Sequence, residues 1–445
     1  MTGHRSGWSR YERLLLDHSA QGAELARRGR EVRESTVADP AVASVVTGVV
    51  APLALGLDVW VRRHAAENDI RRLYYLARNA RVLYDVAVAR RRLENDVELG
   101  YLTVSRDLVR GASLAAVSVE TWFEAGTATP SSFLLQSLEG QDPHTLLRRL
   151  GLDPERDRGL LLRSGVYGAD GDVALDPDVL LQHGQLRDVI CHRAACQIEL
   201  ARRYFAGEGL DSADNVGLVD IGWQGQQAAM IEAILSYVRS SPALHLHVGG
   251  YRPQNPVHPV RIEHWLFENS PPAWLASPVP LFETLLPSIG PAARALDETA
   301  TGEVTVCFAE EPTANSNMDR AIRELTARVA SAVEPRLFGN ESPDLGPVVL
   351  ELARQFWVRP TVDEATAWGR RKFERDGSGA MLAELGAPIH VGDLWALARR
   401  KGSAKRVWPE GAIAASGAPI RSALTPIRRS SQSLRRGVRT VSRRG

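Results

Sequence analysis

Apolar residues along the chain change period several times, and each change marks an element. The run AVASVVTGVVAPLALGL, Ala41 to Leu57, carries no charge. Leu53, Leu57, Trp60 and Val61 continue it at helical spacing. Bounded by Asp39 and Asp58 and broken by Pro52 and two glycines, the run predicts a buried helix and is short for crossing a bilayer. After the polar break AAEND, the short run IRRLYYLA predicts a strand ending at Arg78-Asn79. The helix that follows places Val82, Leu83, Val86 and Ala87 on one face. GYLTVSRDLVR repeats the theme, with a strand ending near Ser105-Arg106.

A long, mostly helical insert is expected from 115 to 209, because DPHT, LDPERDRG and YGADGDVALDPD supply the turn formers of helix connections. A second strand–turn–helix unit then opens with NVGLVDIG, turns at WQG, and continues as a helix with Ala228, Ile231, Leu235 and Val238 inward. LHLHVGGY and RIEHWLF alternate as two further strands. Strands separated by helices predict an α/β fold with a mainly parallel, three-layer sheet. From about Pro291 the texture shifts to a short strand, EVTVCFAE, a long amphipathic helix, NMDRAIRELTARVASAVEPRL, and further helices ending near VWPEGAIA. The expected division is a helical lead-in (1–38), an α/β domain with its insert (39–290), a mostly helical C-terminal region (291–415) and a basic disordered tail (416–445).

Composition narrows the function classes. Hydrophobic residues make up 44% and charged residues 24%, as in soluble globular proteins. A net charge of +1 supplies no global field for nucleic acid, which is not expected as a partner. The balance hides one asymmetry: Pro419 to Gly445 holds eight arginines and no acid. Such a segment is either a solvated tail or an attachment to an anionic membrane surface. Three cysteines without a CxxC pair suit a reducing cytoplasm, or the inner membrane face if the 419–445 tail attaches there.

Candidate chemistry concentrates at strand ends, because ligands of parallel sheets bind beyond the carboxyl ends of their strands. In DIGWQGQ, Asp220 is placed to take a proton, bind a metal or hydrogen-bond a sugar hydroxyl. Gly222 and Gly225 admit a ligand close to the backbone, Trp223 offers a flat wall, and Gln226 adds neutral donors and acceptors. The bland reading of the same residues is a helix-capping acid with glycines needed for geometry. Arg78 suits a phosphate gripped through two hydrogen bonds, and Asn79 either contacts the ligand or caps the next helix. Ser105 and Arg106 are further anion-binding candidates. His245 and His247 share one strand face near His264, but no acid or thiol completes an obvious metal set. Walker A, GxGxxG, GxSxG and HExxH patterns are absent from the sequence.

VAPLALGLDVWVRRHAAENDIRRLYYLARNARVLYDVA resembles a segment, GPLLxGFxxWLxxxAxxxGIxRLYFLARDGxxLxxxA, of bacterial proteins labelled as haloacid-dehalogenase-like hydrolases. YLTVSRDLVR and GLVDIGWQGQQ resemble further motifs of that family, as do FETLLPSIG, EVTVCFAEEP, RPTVDEATAWG and VWPEGAIA. The likeness runs from about residue 40 to 415. It implies a hydrolase-related protein of cell-surface polysaccharide biosynthesis, met beside glycosyltransferases, with a sugar phosphate or nucleotide sugar as ligand and Mg²⁺ as a cofactor held at Asp220. This chain departs from the family at Asn79-Ala80, where Asp-Gly is usual, and it has no DxDxT strand. An Asn cannot attack phosphorus. Two readings stay open: an enzyme with Asp220 as metal ligand or general base, and a catalytically degraded scaffold that partners a glycosyltransferase.

Overall fold

The computed structural model describes residues 7–90, 97–116, 144, 147–148, 150–167, 183–212, 214–252, 260–310, 314–374, 382–390, 393 and 407–424. Two capped helices, α1 (Arg10–Leu16) and α2 (Ala20–Glu34), lead into the long apolar segment. That segment is continuous from Pro40 to Glu67 as α3 (Pro40–Val45), a π-helical turn (Val46–Val50) and α4 (Ala51–Glu67). By length and composition it suffices to cross a membrane, yet 94% of its most apolar window is buried inside the protein. It is a core helix. The widened turn lies just before Pro52, whose ring and missing N–H disturb a regular α-helical ladder. At Gly48 the helix meets Tyr11 so closely that an added Cβ would lie 2.6 Å from the tyrosine Cβ.

The chain then builds a mixed α/β fold on a five-stranded, all-parallel sheet. Its elements in order are β1 (Ile70–Leu76), α5 (Arg81–Arg90), β2 (Glu98–Leu102), α6 (Arg106–Leu114), the insert helices α7 (Arg158–Arg163) and α8 (Gly184–Gly207), β3 (Asn215–Trp223), α9 (Gln226–Leu235), β4 (Leu244–Gly250) and β5 (Arg261–His264). The strand order is β2-β1-β3-β4-β5. Side chains alternate across each strand, so Leu73, Tyr75, Val219 and Ile221 join one core while Tyr74, Leu76, Val216 and Leu218 join another. The first core takes in α4 and α5, and the second takes in α6, α8 and α9. The described part of the insert has a small core of its own around Leu147, Leu161 and Leu186.

After α10 (Pro278–Leu285) come an antiparallel pair, β6 (Ala293–Glu298) and β7 (Val304–Phe308), then α11 (Ser316–Ala332), α12 (Gly346–Val358) and α13 (Val362–Gly369). A short antiparallel pair, β8 (Lys372–Glu374) and β9 (Leu382–Glu384), and α14 (Pro409–Ala415) follow. The first core extends from Tyr11 to Trp408, so α1 and α2 pack with the late helices rather than standing apart. Within it Arg90, 1% exposed, pairs with Asp58 at 2.6 Å and donates to the Phe338 carbonyl at 2.8 Å.

Several boundaries differ from the sequence expectation. β2 stops at Leu102, short of Ser105-Arg106, because Ser105 starts the next helix. β3 runs through Trp223, and α9 ends at Leu235, before Val238. EVTVCFAE is not a lone strand; it pairs with ARALDE, whose polar pattern gives no strand signal. Residues 418–424 are helical although they fall in the segment expected to be disordered. The remaining tail, 425–445, and the acidic segment GADGDVALDPD lie outside the described residues.

Candidate functional site

Strand order places the site. The chain leaves β1 toward β2 on one side and continues from β3 toward β4 and β5 on the other, so the carboxyl ends of β1 and β3 lie side by side where the winding reverses. A crevice opens at such a reversal, because the two connections leave in opposite directions. Here it is a cleft of about 270 Å³ whose lining includes Asn79, Arg106, Asp220, Trp223, His247 and Glu283.

Asp220 stands near the end of β3, paired in register with His247 of β4. Its Oδ1 accepts from the Ile221 N–H at 2.8 Å. Burial pushes its carboxyl up to about 6, against the lowering effect of that backbone N–H and of the positive charge of Arg106. It is not a helix cap. The residue before α9 is Gly225, at φ +68, and no side chain caps that helix. The first N–H groups of α9 therefore lack a side-chain acceptor at the cleft, a setting that favours an anion.

Two glycine requirements fix this turn. Gly222 sits at φ +100, and a Cβ there would lie 2.4 Å from the Gly249 carbonyl oxygen and 2.9 Å from the His247 Cβ. Gly249 and Gly250 pair with Gly222 and Trp223, so the two strand ends close together over small residues. Trp223 itself holds φ +94, a left-handed conformation that costs a non-glycine residue on the order of 1–3 kcal/mol. Its ring packs on Phe282 at a centroid distance of 5.8 Å.

The remaining candidates divide. Asn79, Arg106, Gly222, Trp223, Gly225 and Gln226 join Asp220 in the cleft. Asn79 does not cap α5: its Nδ2 donates to the Leu286 carbonyl at 3.0 Å, and its Oδ1 accepts from Ser288 Oγ at 3.0 Å. Arg78 faces a neighbouring, larger cleft of about 740 Å³ rather than this one. Ser105 is outside both sets of lining residues. Its Oγ accepts from the Leu108 N–H at 3.1 Å and donates to the Ala293 carbonyl at 2.6 Å, so it caps α6 and ties it to β6. Ser105→Ala is accordingly expected to cost about 1 kcal/mol of stability and to leave ligand affinity unchanged. Denaturant melts and ligand titration on the same variant check both halves.

The histidines are neighbours without forming a metal centre. His247 lies 6.1 Å from His245 and 5.5 Å from His264 between ring centroids. His245 is tied to buried Glu232 at 2.8 Å. Burial holds His247 well below the usual imidazole range, and the charges of His245 and His264 act in the same direction. It presents a neutral ring to the cleft. Among the described residues no group of three or more His, Cys, Asp or Glu side chains is placed to hold a metal ion. His247 at the cleft floor and Glu283 in its wall are additions to the sequence reading. The alternation LHLH set His247 on one strand face, but only the strand register puts that face beside Asp220.

No protein-family model matches the chain, and no curated protein matches it significantly.

Proposed function

We propose that the Asp220 cleft binds and processes a phosphorylated or nucleotide-linked sugar, in a hydrolase-related protein of the haloacid-dehalogenase-like kind. The observation that carries this reading is the half-buried carboxyl of Asp220, raised to about 6, in a cleft at the sheet's reversal point. A carboxyl in that range exchanges protons near neutral pH, as a general base requires. Arg106 and the uncapped start of α9 supply positive potential for a phosphate, and Gln226 and Asn79 supply neutral hydrogen bonds for a sugar. In the alternative role to general base, Asp220 would hold Mg²⁺, with Glu283 as a second carboxylate and the ligand's phosphate oxygens completing its shell, the usual mode for an ion that keeps few protein ligands. A three-layer α/β sandwich, a cytoplasmic setting and a role in cell-surface polysaccharide assembly belong to the same proposal.

The second reading, a scaffold that keeps the cleft without turnover and partners a glycosyltransferase, is favoured by Asn79. The residue at the position of the family's acid is an amide whose two polar ends are already engaged by Leu286 and Ser288. Phosphate release from a panel of sugar phosphates with Mg²⁺ separates the readings. Turnover by the native chain that is lost in Asp220→Asn supports the enzyme. Equal, background-level rates in both remove it and leave the scaffold. Membrane attachment through 419–445 is a separate proposal resting on the arginines, and deletion of that segment should then abolish flotation with anionic vesicles.

A further inference from the structure

The larger cleft, next to Asp220 but not part of its site, is lined by six cations and four carboxylates. Its positive groups are arranged rather than scattered. One carboxylate, Asp85, holds two guanidinium groups side by side, Arg81 at 3.1 Å and Arg323 at 2.6 Å. Arg81 also lies over the Tyr101 ring, 5.0 Å from its centroid, which restrains the plane of its fork. Each guanidinium has five N–H donors and spends only part of them on Asp85, so donors remain for a second anion. In the same cleft, Arg371 is 7% exposed and paired with Asp319 through one nitrogen, while its other terminal nitrogen has no hydrogen-bond partner among the described residues. The start of α11, a 17-residue helix whose N-cap Asn315 makes no side-chain cap, lines the cleft as well. Tyr84, Ile289 and Phe373 give the same cleft apolar walls.

We propose that this cleft is a binding site for a nucleoside diphosphate, free or as part of a larger substrate. The diphosphate lies among Arg81, Arg323, Arg320 and the start of α11, and the nucleoside rests on the apolar walls. A volume of about 740 Å³ accommodates a ligand of that size. Glu283 lines both clefts, and the Asn79–Ser288 hydrogen bond joins a residue of one to a residue of the other. A group attached to the outer phosphate therefore extends past Asn79 toward Asp220. Only this last direction rests on the sugar-binding reading above.

Calorimetric titration of the full chain with ADP, CDP, GDP, UDP, pyrophosphate and inorganic phosphate tests the site. At least one nucleoside diphosphate is expected to bind more tightly than pyrophosphate. Affinity should fall about tenfold in Arg323→Ala, the loss of one charge-assisted phosphate contact, and stay within about twofold in Asp220→Asn. Because Arg323 also braces Asp85, Arg320→Glu serves as the second variant: its side chain is exposed, and an unchanged melting temperature shows that its weaker binding does not come from unfolding. Absence of binding by every nucleoside diphosphate up to about 1 mM, equal binding by pyrophosphate, or unchanged affinity in both arginine variants overturns the proposal. Failure of sugar-phosphate turnover alone does not touch it, since that assay reads Asp220.

Discussion

Gly222→Val should destabilise the folded chain by about 4 kcal/mol or more, enough to unfold a marginally stable domain. Two independent effects add. A β-branched residue at φ +100 is strained whatever space surrounds it. The new Cβ would also meet the Gly249 carbonyl oxygen at 2.4 Å and the His247 Cβ at 2.9 Å. Neither neighbour is the free end of a flexible side chain. Both belong to β4, which is locked to β3 through the register Asp220–His247 and Gly222–Gly249. Gly184→Ala provides the contrast, because nothing lies within 4 Å of a Cβ added there and its backbone is ordinary. Denaturant unfolding of the two variants measures the difference. A Gly222→Val chain as stable as the native one would contradict the described turn.

Asp220→Asn should stabilise the protein at neutral pH and leave it unchanged in acid. The folded-state carboxyl titrates at about 6, above its ordinary value of 3.8. Below 3.8 it is protonated in both folded and unfolded chains, and the substitution has nothing to relieve. Between these values the unfolded chain ionises first, so native stability falls as pH rises. Above 6 the acid is charged in both states and the folded chain carries the whole burial penalty, roughly 3 kcal/mol if the shift is fully expressed. Asparagine keeps the acceptor oxygen for Ile221 without that charge. Urea melts at about pH 2.5 and pH 7.5 should therefore show no gain at the first, well below the ordinary carboxyl value, and a gain of about 2–3 kcal/mol at the second. An equal effect at both values would mean that Asp220 is not held in a desolvating site. An acid kept at a cost in stability is what a functional position looks like.

Much of the sheet was legible because its strands are short, apolar and separated by helical periods. IRRLYYLA leads into Arg78-Asn79 and NVGLVDIG carries Asp220 near its end, and both strand ends reach the reversal point between β1 and β3. In GWQG the capping acid of the bland reading is not found, since α9 starts from Gly225 and not from Asp220, while the glycines do meet a backbone requirement, at φ +100 and +68. Ser105 was ambiguous for a physical reason: a serine before a helix has the same spacing whether its hydroxyl meets a backbone N–H or a phosphate. Arg78 and Asn79 are adjacent just beyond β1, yet they line different clefts, a divergence that spacing alone does not reveal. The larger cleft was not legible at all. Arg81, Ile289, Arg323 and Arg371 come from four distant segments, and only tertiary packing assembles them.

The central claim is that Arg106 and Asp220 share a working ligand site, and calorimetric titration of sugar phosphates at pH 7 tests it most directly. Arg106 is exposed at the start of α6, so Arg106→Ala removes its charge without disturbing the core. At least one sugar phosphate should bind the native chain with a Kd below about 1 mM and bind Arg106→Ala about tenfold more weakly. No binding by any member of the panel, or the same affinity in the variant, would contradict the account.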